Sequence, residues 1–163
     1  MLIRISELIK LFPHINHDRV RDWKRRGIVY SGSCSGQGSE SSYSTQDAVQ
    51  IAVIAFMAYM MPLSKAHLPS LMITNSVMAE LDREEPVSAS VFAVHAETGE
   101  AWAVSPMDMF DRPGIELTPI FYVRPWDFAV KVREWLNSKS GGHQIDDPSG
   151  PPPPRRGKPD SHY

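Results

Sequence analysis

An α+β fold is predicted: helices fill the first half of the chain, a small unit of strands and one helix follows, and a tail closes it. Three observations predict it. Apolar residues recur at helical spacing up to Pro86, the period changes to two from Ser88, and from Ser138 the composition turns to Gly, Pro, Ser and charge. At 163 residues the chain has room for one domain, or a small domain with an appendage and a tail.

The first helix is read from Ile3, Ile5, Leu8, Ile9 and Phe12, with Ser6 as its start and Pro13 as its stop, because proline does not fit a helix interior. Pro13 to Ile15 then form a short turn. A second helix is predicted over Asn16 to Arg26: Asn16 is a good N-cap, and Gly27 suits a left-handed exit. At 100° per residue Val20 and Trp23 share one side, Asp18, Arg21 and Arg25 lie opposite, and Lys24 and Arg26 flank them. One side packs and the other is cationic. Lysines and arginines on such a ridge neutralise phosphates, and arginine can fork onto guanine in a major groove, so the pattern predicts contact with double-stranded DNA.

After Gly27, Ile28 to Tyr30 suit a short strand. Ser31 to Ser42, with Gly32, Gly36 and Gly38, read as a loop tip, and Tyr43 as the returning strand. The N-terminal unit is thus expected to be a helix-turn-helix followed by a hairpin wing.

These residues resemble the MerR-type winged helix-turn-helix domains. The likeness rests on Ile5-Ser6-Glu7-Leu8, on Val20-Arg21-Asp22-Trp23-Lys24-Arg25-Arg26-Gly27-Ile28, and on Tyr43-Ser44-Thr45-Gln46-Asp47, and it covers about Met1 to His67. It implies that Arg21 is a DNA-contacting arginine and that the wing touches the backbone at a minor groove. Asp22 and Ser42 stand where that family has Tyr and Arg. Residue reading and resemblance together make Asn16, His17, Arg19, Arg21, Lys24, Arg25, Arg26 and Tyr43 the expected DNA-binding set.

Ala48 to Met61 is the most apolar run and is capped by Ser44, Thr45 or Asp47; at about 14 residues it is short of the roughly 20 that span a bilayer. A buried third helix and no membrane role are expected. Leu63 to Leu68 resembles the start of that family's fourth helix, with Ser64 as cap, and a further helix is predicted over Ser70 to Arg83. No long heptad run is present, so a homodimer, if formed, is built otherwise than by a coiled coil.

Ser88 to His95 and Ala101 to Ser105 read as strands joined by Glu97-Thr98-Gly99-Glu100, Ile115 to Val123 as a third strand, and Trp126 to Leu136 as a helix entered through Pro125. This small ββ(β)α unit is expected to pack on the third or fourth helix or on a second copy. The resulting division is 1–67 for the winged unit, 68–86 for a connecting helix, 87–137 for a dimerisation or effector unit, and 138–163 for a disordered tail.

Charge follows this division. Residues 1–67 hold 8 Lys/Arg against 5 Asp/Glu, whereas residues 68–138 hold 5 against 11. DNA repels such an acidic half, so a role there in pairing or in binding a protein partner is expected. His95, Glu97, Glu100, Asp108, Asp111 and Asp127 lack the spacing of a nucleophile, a phosphate loop or a metal site, and neither catalysis nor a cofactor is expected. With Cys34 alone, a chain forms neither an internal disulfide nor a thiolate metal site. His14 and His17 flank a turn, where capping or phosphate contact is expected of them. The start Met1-Leu2-Ile3-Arg4 lacks a signal peptide's apolar region, and a cytoplasmic location is expected.

The expected function is that of a sequence-specific, dimeric transcriptional regulator. Two alternatives stand beside it: an excisionase-like or adaptor protein whose 87–137 unit binds a protein partner, and a small-molecule sensor with Trp102, Phe121, Tyr122 and Trp126 around a pocket.

Overall fold

The computed structural model describes residues 2–29, 41–83, 85, 91–105 and 119–140. The fold is α+β, in the order β1 (Leu2–Arg4), α1 (Ile5–Leu11), α2 (His17–Arg25), β2 (Ser42–Ser44), α3 (Thr45–Met57), α4 (Leu63–Leu81), β3 (Val91–His95), β4 (Ala101–Val104), β5 (Ile120–Val123) and α5 (Pro125–Ser140). Tyr30, residues 31–40 of the loop tip predicted over Ser31 to Ser42, residues 86–90 with the start of the strand predicted from Ser88, the segment 106–118 and the tail from residue 141 lie outside the described residues.

The local signals of α2 act as the sequence predicts. Asn16 Oδ1 accepts from the backbone N–H of Asp18 at 2.9 Å and of Arg19 at 3.3 Å, satisfying two otherwise orphaned donors. At the other end Gly27 takes φ +71°, its N–H donates to Lys24 O, and Ile28 N–H donates to Trp23 O. That pair of bonds is a Schellman closure, and it needs the left-handed residue glycine supplies. Ser44 caps α3, accepting from Asp47 N–H at 3.1 Å.

The wing is built differently from the expectation. Ile28 and Val29 form no strand; instead β2 pairs antiparallel with β1, in the register Leu2↔Ser44, Ile3↔Tyr43, Arg4↔Ser42. Ile3 therefore belongs to a strand and not to the first helix. That helix opens at Ile5, one residue before Ser6, and Glu7 Oε2 accepts the N–H of Arg4 at 3.2 Å. Burial explains the choice: Ile3 and Tyr43, opposite one another, are 0 % and 2 % exposed and close the core on that side.

The two predicted helices around Leu68 are one. α4 runs unbroken from Leu63 to Leu81 with Pro69 inside it, and Ser64 lies within its first turn rather than at the cap. Proline has no N–H to give the carbonyl of Lys65, four residues back, and in a helix interior it costs about 3 kcal/mol. The β3–β4 turn closes over that freed carbonyl: a Cβ built on Gly99 would lie 2.6 Å from Lys65 O. The boundary expected at residue 67 thus falls within α4, and one buried cluster runs from Ile3 to Trp135 through both parts.

β3, β4 and β5 form an antiparallel sheet of order β4-β3-β5. Phe92 and Val94 of the central strand join the main core, while Val91 and Ala93 face a smaller cluster with Val104, Trp102 and Ile120. α5 lies against α4 and also meets α3 and α1, as expected of a unit too small to stand alone. It continues to Ser140, two residues past the predicted start of the tail at Ser138. Arg133 fastens it, donating from Nη2 to Glu80 O at 2.6 Å and from Nε to Leu81 O at 3.2 Å.

Candidate nucleic-acid interface

α2 presents the ridge predicted for it. Val20 and Trp23 are 1 % and 4 % exposed and hold the helix to the core, while His17, Asp18, Arg19, Arg21, Arg25 and Arg26 are exposed. Lys24 is half-buried on the flank.

The guanidinium groups are organised by carboxylates of their own helix. Arg21 pairs with Asp18 at 3.1 Å, and Asp22 takes both Arg25 at 2.5 Å and Arg26 at 2.8 Å. These are i,i+3 and i,i+4 pairs, whose spacing is visible in the sequence but was not part of the expectation. The arginine side chains stay 61–80 % exposed, so each pair is worth no more than about 1 kcal/mol and yields easily to a competing anion. Among the described residues none of these arginines pairs with the acidic second half. Arg19 is placed otherwise, its guanidinium 5.8 Å from the ring centre of Tyr59, which is itself 64 % exposed beside the α3–α4 connection. Tyr59 carried no signal in the sequence, because that contact joins residues forty apart.

Two members of the expected set are occupied elsewhere. The Asn16 side chain is used by its own helix, and its role is the cap. Tyr43, expected on an exposed wing, is buried at 2 % against Ile3's strand and cannot reach a DNA backbone without leaving the core. It still lines a shallow cleft of about 130 Å³ beside α2, shared with His17, Arg21 and Lys24. Four of the eight expected residues thus meet along one side of the ridge.

His14 faces inward. Its Nε2 lies 3.0 Å from Ala52 O, which as a carbonyl only accepts, so that nitrogen carries the proton. The ring sits edge-on between Phe12 and Phe56, which removes it from phosphate contact. His95 does turn duty, as expected, with Nδ1 accepting from the N–H groups of Glu97 and Thr98. Of the four aromatics expected around a pocket, Phe121 is in the core and Tyr122 borders a cavity, which lies between β5, α5 and the α1–α2 turn.

A second exposed surface lies on α4. Leu68, Leu71 and Met72 are 73 %, 38 % and 46 % exposed, and Met60 before the helix is 49 % exposed. Ser64, Lys65 and Asn75 are exposed along the same helix, so this stripe is mostly apolar and carries one charge, that of Lys65. Among the described residues no helix is long and apolar enough to cross a membrane. No family model matches the chain, and no curated protein is significantly similar to it.

Proposed function

We propose that the protein binds double-stranded DNA sequence-specifically and acts as a transcriptional regulator, with α2 as the helix that enters the major groove. One observation carries the reading: Arg21 and Arg25 stand 75 % and 80 % exposed on the side opposite Val20 and Trp23. Phosphates exchange readily with the weak intrahelical partners of these side chains, and an arginine fork released from Asp18 or Asp22 matches a guanine edge. Arg19, Lys24 and Arg26 hold the backbone on either side. His17 sits at the N-terminal end of α2, where the orphan amides favour an anion.

A module this small binds weakly alone, and a dimer reading two half-sites about 34 Å apart, or a multiple of that, is the natural unit. The exposed apolar stripe of α4 supports pairing with a second copy, since Leu68 at 73 % exposure gains most from being covered. That stripe also favours a second reading, in which it binds a different protein and DNA contact is secondary.

The test is selection of bound fragments from a random duplex pool, followed by anisotropy titration across a salt series. The regulator reading expects an inverted repeat and an affinity falling with salt at about 0.9 logarithmic units per phosphate contact. Arg21→Ala with Arg25→Ala is expected to lower affinity at least tenfold. Unchanged affinity at moderate salt removes α2 as the reading helix, and salt-insensitive capture of a protein partner favours the second reading.

A further inference from the structure

A cavity of about 510 Å³ opens where the α1–α2 turn meets α3, β5 and α5, within the range of small-molecule sites. Its floor is aromatic. Phe12 and Phe128, 1 % and 8 % exposed, stack with centroids 5.7 Å apart, and Phe56 stands edge-on 6.0 Å from Phe128.

The rim is polar and exposed, formed by Arg124 just before α5 with Asp127 and Lys131 one and two turns on. Among the described residues none of these three side chains forms an ion pair. Lys131 Nζ lies 5.6 Å from the centre of the Phe12 ring, which sets its ammonium beside the floor.

We infer that this cavity is a binding site for a small aromatic monocarboxylate. The ring enters against Phe56 and Tyr122, which keep exposed surface above Phe12 and Phe128, where offset and edge-on contacts at about 4.5–7 Å are favourable. The carboxylate lies between Arg124 and Lys131; the guanidinium fork takes both oxygens, and the ammonium adds a third charge-assisted bond. Asp127 on the same rim repels a second negative group, so the site selects one carboxylate and not two. This claim is independent of DNA binding, and its test contains no DNA.

The experiment is calorimetric titration of the full chain with 2-naphthoate as the probe, beside 2-naphthamide and 2,6-naphthalenedicarboxylate. One saturable site for naphthoate is expected, with the amide and the dicarboxylate each at least tenfold weaker. Arg124→Gln and Lys131→Met, at exposed positions, are each expected to weaken naphthoate about tenfold, and Asp127→Asn to recover the dicarboxylate. Absence of saturable binding overturns the inference, as does equal affinity for acid and amide. The comparison of ligands on the unaltered protein needs no variant to fold. Retained naphthoate affinity in both R124Q and K131M overturns the placement of the carboxylate.

Discussion

Gly27 and Gly99 both sit at positive φ, +71° and +77°, yet alanine at the two positions is expected to cost different amounts. At Gly27 a Cβ meets nothing within 4 Å, so the variant carries only the left-handed backbone penalty, about 1–2 kcal/mol, less the few tenths recovered from a stiffer unfolded chain. At Gly99 the same Cβ falls 2.6 Å from Lys65 O and 3.2 Å from Lys65 Cβ. The first of these is backbone of α4 and cannot swing aside, so the turn must retreat by more than half an ångström. Forcing atoms into a filled space adds about 1–3 kcal/mol. Retreat also uncovers the carbonyl that Pro69 leaves without its helical donor. G99A is therefore expected to cost about 2–4 kcal/mol in all, and G27A about 1 kcal/mol. Urea unfolding of the full chain, followed by tryptophan fluorescence, measures both through the midpoint at constant slope. Equal losses at the two positions, or a larger one for G27A, refute the argument that the hairpin turn seals the proline break in α4.

Asp22→Asn releases Arg25 and Arg26 together and removes a negative charge from the ridge; duplex affinity is expected to rise about three- to tenfold near 0.1 M salt, and an unchanged or weaker Kd by anisotropy counts against α2 facing phosphate. Arg133→Ala is expected to lose about 1.5–3 kcal/mol in urea melts, because it leaves the carbonyls of Glu80 and Leu81 without the donors that fasten α5 to the end of α4. Arg133→Lys is expected to recover less than half, lacking the planar fork that bonds both carbonyls and lies 4.8 Å from the centre of the Trp126 ring; full recovery contradicts that account. The Lys139 ammonium hydrogen-bonded to Glu7, aided by the Arg4 N–H and opposed by burial, holds the Glu7 carboxyl below its ordinary value of 4.5. A depressed carboxylate pKa contributes stability above that value and loses it as pH falls through the folded one. Lys139→Met is thus expected to cost up to about 1 kcal/mol at pH 7, with the gap to the unaltered protein closing below pH 4.5; a gap that persists in acid denies the linkage.

What could be read in advance was what neighbouring residues decide. Asn16, Gly27 and the spacing of Val20 and Trp23 define α2 because caps and helical period act within one or two turns. The change to a period of two after Pro86, and Gly99 in its turn, defined the β3–β4 hairpin in the same way. Pairing across distance was not readable. A three-residue strand has too little pattern to name its partner, so Tyr43 went to a wing when the partner was Leu2–Arg4, and burial opposite Ile3 settled the matter. Pro69 marked a break by every local rule, but packing overrode it, with the Gly99 turn lying over the carbonyl it frees.

By itself, then, the chain determined its α+β class, the two ends of α2 and that helix's cationic side, all consequences of contacts within a few residues. Tertiary structure alone decided that Leu2–Arg4 pairs with Ser42–Ser44, that α4 is continuous, and that Phe12, Phe56 and Phe128 meet under Arg124 and Lys131, because those encounters join segments about 30 to 120 residues apart and depend on how the whole core fills.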